Sequence, residues 1–327
     1  MLLIAFGGPL GPADVRPFLA NVLRGRRVTP ERVEEVAHHY ELFGGVSPLT
    51  ELTRAQAAGL QERLHARGLH LPVHVGMRNW HPFLADTLAE MSRAGIRHAI
   101  GVIAAPHRSY SSCTQYRENV RDARAALRGA GLADVDVIYA EDWHTHPKFV
   151  EAQADHVEAA LRELPEELRA EAALVFTAHS IPTSMAERYP YQREYEASAT
   201  LVAERVRGRT GLSLPMATVY QSRSGRPEDP WLGPDVCDHL REARGRGLRA
   251  VVLCPAGFVC DHIEVLYDLD TEAAAVCRDV GLAMTRARAV NDHPAFLDAL
   301  ADVVLRTAAR YAHSRPLSLA APGAPGA

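Results

Sequence analysis

His179 follows the apolar run Ala173–Thr177 and precedes Ser180 and Pro182, so an imidazole stands where the chain leaves a strand. A histidine there can bind a metal ion through one ring nitrogen or accept a proton near neutral pH; it can equally be hydrogen-bonded structure. Behind another strand-like run, after Gly257 and Phe258, Glu264, Asp268 and Glu272 recur at i, i+4 and i+8. On a helix they form one acidic stripe. Like charges at this spacing repel by roughly 0.2–0.5 kcal/mol per pair, so a cation or a water chain would relieve the stripe. The other reading is that acids near a helix start are favoured by the dipole and face solvent.

If His179 and Glu264 converge from neighbouring strands, one imidazole and one carboxylate make a weak, open site. Such a pair suits a transient borderline divalent ion better than a structural zinc, which takes four closed ligands and usually thiolates. The metal is expected to be substrate, not scaffold. The remaining candidates carry less. Gly7-Gly8-Pro9 makes a tight turn but no GxGxxG, and neither GxSxG nor a P-loop is present. His38-His39 lies on a helix face without metal spacing, His144 and His146 before Pro147 read as loop surface, and Cys254 and Cys260 read as space-filling. Five cysteines without a CxxC pair predict reduced thiols.

These residues need strand ends to stand on. Short apolar or β-branched runs recur at Leu2–Phe6, Val73–Met77, Ala99–Ala104 and Val135–Tyr139. After a helical segment from about Lys148 to Arg169 they recur at Ala173–Thr177, Met216–Tyr220, Ala250–Cys254 and Leu282–Arg286. Strands alternating with helices predict parallel sheets. The fold class is therefore α/β, with two similar Rossmann-like domains, each a four-stranded parallel sheet flanked by helices. The expected division is 1–150, 151–315 carrying His179 and Glu264, and a flexible Pro/Gly/Ala-rich tail over 316–327. The last helix, roughly Pro294 to Tyr311, is free to pack on either domain. Ligands of open α/β sheets gather at carboxyl ends of strands, so the segments Ala105–Tyr110, Ala178–Pro182 and Pro255–Glu264 are the informative ones.

At 327 residues the chain is too long for a single small binding module, and 47% hydrophobic with 23% charged residues is a globular composition. A net charge of −4 gives no general attraction to nucleic acid. No uncharged apolar run approaches the roughly 20 residues of a membrane span. Leu2–Phe6 already reads as a strand, leaving no room for a signal peptide, so a cytoplasmic protein is expected.

Several motifs in one order then resemble a known family. They are Phe6-Gly7-Gly8-Pro9, the run Tyr40–Leu49, Phe176–Pro182, Tyr220-Gln221-Ser222-Arg223, Pro230-Trp231-Leu232, and Gly257 to Asp268. Together, over about residues 2 to 305, they resemble the ferrochelatases. Arg24-Gly25-Arg26, the Phe-Gly-Gly-Val-Ser-Pro loop and the run Tyr110–Tyr116 look like the coproporphyrin branch of Gram-positive, especially actinobacterial, bacteria. The resemblance implies a soluble enzyme that inserts ferrous iron into coproporphyrin III to form coproheme. Protoporphyrin IX insertion and a non-catalytic porphyrin or heme carrier are the alternatives. A cobalt or nickel chelatase is a third, although such enzymes usually place histidines at the metal.

Carried over residue by residue, His179 and Glu264 match the family's pair at the macrocycle centre, as catalytic groups and metal ligands. Asp268 and Glu272 match its acidic, cation-binding ladder. Ser47 and Tyr116 match porphyrin-contacting positions, with Tyr40 and Arg24 near propionates. Phe6 replaces a tyrosine that ligates product iron in some members, which leaves Tyr116 or Tyr110 as axial candidates, and Asn79 replaces a histidine. Cys113 matches one ligand of a [2Fe–2S] cluster held in several relatives, but three further cysteines are missing after Cys277, so no cluster is predicted. No permanently bound cofactor is expected. Fe2+ and coproporphyrin III are the substrates, a transient contact with a coproheme decarboxylase is open, and a monomer is expected.

Overall fold

The computed structural model describes residues 1–25, 28–224 and 228–313. Arg26 and the tail 316–327 lie outside the described residues. Eight strands form two sheets: β1 (Leu2–Ala5), β2 (His74–Met77), β3 (His98–Ile103) and β4 (Asp136–Tyr139), then β5 (Ala172–His179), β6 (Met216–Gln221), β7 (Ala250–Cys254) and β8 (Ala283–Arg286). The first sheet has the order β2-β1-β3-β4 and the second β6-β5-β7-β8, every pairing parallel. The two halves repeat one topology, as expected.

The central strands β1 and β7 are buried along their whole length, and β5 along all but its last residue. A parallel sheet covered on both faces by crossover helices needs side chains that lose nothing by leaving water, which is why these strands read as unbroken apolar runs. In each sheet the order reverses once, between β1 and β3 and between β5 and β7, so each opens a crevice at the carboxyl ends of those strands. Leu42, Val46 and Leu10 remain exposed along the loops beyond β1.

The two sheets share apolar ground. One cluster joins Leu3, Leu60, Ile100 and Trp143 with Val259, Val290 and Phe296. The last helix, Pro294–His313, packs against the helices Leu49–Ala66 and Pro147–Glu163 and touches β3. Among the described residues no helix is long and apolar enough to cross a membrane.

Two local expectations change. His146 is not free loop surface: its Nδ1 accepts the Lys148 N–H at 3.3 Å and so caps the helix that Pro147 begins, while Nε2 lies 3.5 Å from Asp302. His144 is likewise half-buried, near His107. The acidic stripe also rides on no simple α-helix. Ile263–Val265 makes one α-helical turn, and Leu266–Ala273 continues as a π-helix. Its i to i+5 bonds widen the turn and leave Glu264, Asp268 and Glu272 along one side.

Candidate active site

His179 is the last residue of β5, paired in register with Gln221 of β6. Its Nδ1 lies 2.5 Å from the Ser180 carbonyl oxygen, which can only accept, so Nδ1 carries the proton. In the neutral ring the lone pair then sits on Nε2, the nitrogen that faces Glu264 Oε2 at 4.0 Å. Tyr191 donates its hydroxyl to the His179 carbonyl at 2.9 Å and so ties down the strand end.

Glu264 comes from the neighbouring crevice strand. After β7 the chain turns back over β5: the Gly257 N–H bonds Thr177 O at 3.0 Å, and a Cβ at Gly257 would stand 2.5 Å from the Ala178 Cβ. Only glycine lets the two strand ends approach this closely. His262 then caps the helix start through Nδ1, 3.2 Å from the Glu264 N–H. Burial and the nearby His179 hold His262 below the usual imidazole value, while Glu264 opposes them.

Asp268 is tied to the same place by β6. Gln221 Nε2 donates to Asp268 Oδ2 at 3.2 Å and to the Glu264 carbonyl at 3.1 Å, and Ser222 donates its hydroxyl to Asp268 Oδ2. Ser222 has a positive φ of 60°, a left-handed conformation uncommon for a residue with a Cβ, and this directs its hydroxyl onto the acid. Burial pushes the Asp268 carboxyl up to about 7; the Ser222 bond opposes this, and the charges of Glu264 and Glu272 reinforce it. Glu272 is raised too, by partial loss of solvent and by Asp235. The series ends in an open cavity of about 420 Å³ lined by Asp268, Glu272, Asp235, Cys237 and Arg241.

The other half supplies Tyr40 and Tyr116, both buried, and both phenols feel the Glu264 charge. Burial is the main cause that raises each of them. Tyr40 packs edge-on against Phe18. The Arg78 guanidinium stands 5.8 Å from the Tyr116 ring and 6.0 Å from that of Phe6. Ser47 is buried against Gly8, and its Oγ accepts the Leu49 N–H at 3.4 Å where the Leu49–Ala66 helix begins. Tyr110 and Arg24 are exposed, Tyr110 donating to Glu118 at 2.9 Å and Arg24 to Asn21 at 2.7 Å. The site therefore brings His179, Glu264, Asp268, Tyr40 and Tyr116 together. The hydrogen bonds of Tyr110, Arg24 and Ser47 go instead to Glu118, Asn21 and Leu49.

Among the described residues no three His, Cys, Asp or Glu side chains gather as a metal cage. Gln221 and Ser222 stood in the Tyr220–Arg223 motif without an assigned role, and Tyr191 and Arg78 were not singled out. The signal for the first two was their place directly after a strand; for Tyr191 there was none.

The family model described as Ferrochelatase matches residues 1–308. The coproporphyrin III ferrochelatase of Streptomyces griseus is 48% identical, with 94% of this chain and 85% of that protein covered. That of Mycolicibacterium smegmatis is 45% identical over 93% and 88%. A Rhodopirellula baltica protein named ferrochelatase is 44% identical over 93% and 84%. Among solved structures, SirB from Bacillus subtilis with Fe3+ superposes with a TM-score of 0.58 at 12% identity, covering 96% of each chain, which shows a shared fold alone.

Proposed function

The chain belongs to the ferrochelatase family, and on that premise we propose that it inserts ferrous iron into coproporphyrin III, releasing two protons and yielding coproheme. The observation that carries this reading is the His179–Glu264 pair, 4.0 Å apart at the crevice where β5 and β7 diverge. Insertion must remove two pyrrole N–H protons and present the nitrogens to the metal. His179 Nε2, its ring oriented by the Nδ1 bond, is the nitrogen placed to take a pyrrole proton. Glu264 assists in holding the incoming Fe2+ or in taking the second proton. Asp268, poised near 7, passes protons toward Glu272 and the open cavity.

A rigid cleft also favours the bent macrocycle that insertion requires, which is binding of a transition-state shape. Tyr116 and Tyr40 are assigned to the apolar wall, and Arg24, Ser47 and Tyr110 to the propionates, where a guanidinium fork can bond carboxylate oxygens in pairs. The functional division falls near residue 150, one half giving the wall and the other the proton and metal groups. The reading assigns no [2Fe–2S] cluster; Cys254, Cys260 and Cys277 are buried in three different apolar clusters. It assigns a cytoplasmic monomer that passes its product to a decarboxylase by transient contact.

Anaerobic addition of Fe2+ and coproporphyrin III to the purified protein, followed by absorbance, tests the reading. Metal insertion that is lost in His179→Ala supports it. Near-normal rates in that variant would sink the assignment, and insertion of Co2+ or Ni2+ with exclusion of Fe2+ would favour the other chelatase class.

A further inference from the structure

Resting on that reading, we infer that Arg286 is the positioning residue that holds the Glu264–Asp268 segment in register with His179. Arg286 ends β8, and only 13% of its side chain is exposed. Its Nε and Nη2 donate to both oxygens of Asp270, at 2.6 and 2.9 Å, and its Nη1 donates to Asp261 Oδ1 at 2.7 Å. Asp261 directly precedes His262, whose ring caps Glu264, and Asp270 lies two residues beyond Asp268. One planar cation thus grips the segment before Glu264 and again after Asp268.

The grip is anchored at its far side. Asp261 also accepts the Ala289 N–H at 3.0 Å and the Asn291 amide at 2.7 Å, while Asn291 Oδ1 accepts the Asp261 N–H at 2.9 Å. The Asn291 carbonyl in turn accepts Gln56 Nε2 at 2.8 Å, and the same nitrogen bonds Val259 O at 3.0 Å. A continuous chain of bonds therefore runs from the Leu49–Ala66 helix, beside the first sheet, to the segment that bears the acids. With both oxygens engaged, Asp261 acts as a fixed acceptor. A lysine at 286 would keep the charge but lose the fork that spans two carboxylates, which makes Arg286→Lys the discriminating change.

The expected result for Arg286→Lys is a folded protein with an unchanged KM for coproporphyrin III and a kcat about 10–100-fold lower, the range for groups that orient the reacting ones. Amide hydrogen exchange should rise over 261–272 and stay level elsewhere. In Arg286→Ala, millimolar guanidinium should restore part of kcat while leaving the wild type unaffected. A wild-type kcat in Arg286→Lys together with unaltered exchange over 261–272 would overturn the inference. So would a rate loss that only follows the loss of folded protein. If Arg286→Ala fails to fold, Asp270→Asn breaks the more exposed half of the grip and is read in the same two ways. The exchange readout needs no turnover, so an inactive wild type would count against the proposed function and leave the positioning inference to be judged by exchange.

Discussion

At the residue scale the site is an imidazole whose Nδ1 is bonded to the Ser180 carbonyl oxygen and whose Nε2 faces a carboxylate. His179→Ala removes the Nε2 lone pair, and the expected loss in the insertion rate is about 10²–10⁴-fold, the usual worth of a positioned general base. Asp268 gives the pH dependence. Its carboxyl is held up to about 7 in the folded protein against an ordinary 3.8, so the native state binds the proton more tightly than the unfolded chain between those values. Stability from this group is therefore greatest at low pH and falls as pH rises through about 7. Asp268→Asn should raise the melting temperature relative to wild type at pH 8, show less gain at pH 5, and flatten the acid limb of the rate profile near neutrality. Parallel melting curves of the two proteins at pH 5 and 8, with no gain at the higher pH, would contradict this.

At the element scale, function depends on how closely the end of β5 and the turn after β7 approach. Gly257→Ala places a methyl 2.7 Å from the Ala178 Cα, a backbone atom that cannot swing aside. Overpacking of this kind costs roughly 1–3 kcal/mol, and the displaced strand end carries His179 with it. The variant should unfold at lower denaturant and lose kcat beyond what the folded fraction explains; chemical denaturation and single-turnover rates measure the two. This approach was half legible. The strands could be read because Ala172–His179 and Ala250–Cys254 are buried on both faces and must be apolar throughout, and His179 and Glu264 stood out as polar groups at such ends. The π-helix was not legible, since residues four apart share a side in either helix type. The Tyr191 bond to the His179 carbonyl and the Arg286 grip were also hidden, because they join segments whose meeting depends on packing that no local pattern records.

At the scale of the whole molecule, two sheets of one topology are locked by a shared core and by the last helix. Phe296 is 1% exposed and packs against Trp143 and Phe149, with ring centroids 5.5 and 5.7 Å away. Phe296→Ala should cost about 3–5 kcal/mol in denaturant unfolding. It should also loosen the two halves whose separation sets the width of the cleft, so porphyrin affinity should fall with stability. The sequence left the packing of that helix open, because an apolar stripe says that a face is buried but not against what. The most direct measurement is anaerobic Fe2+ insertion by the purified wild-type protein with coproporphyrin III and protoporphyrin IX in competition, followed by absorbance. Strong preference for coproporphyrin III is expected; preference for protoporphyrin IX, or insertion into neither, would contradict the proposed function.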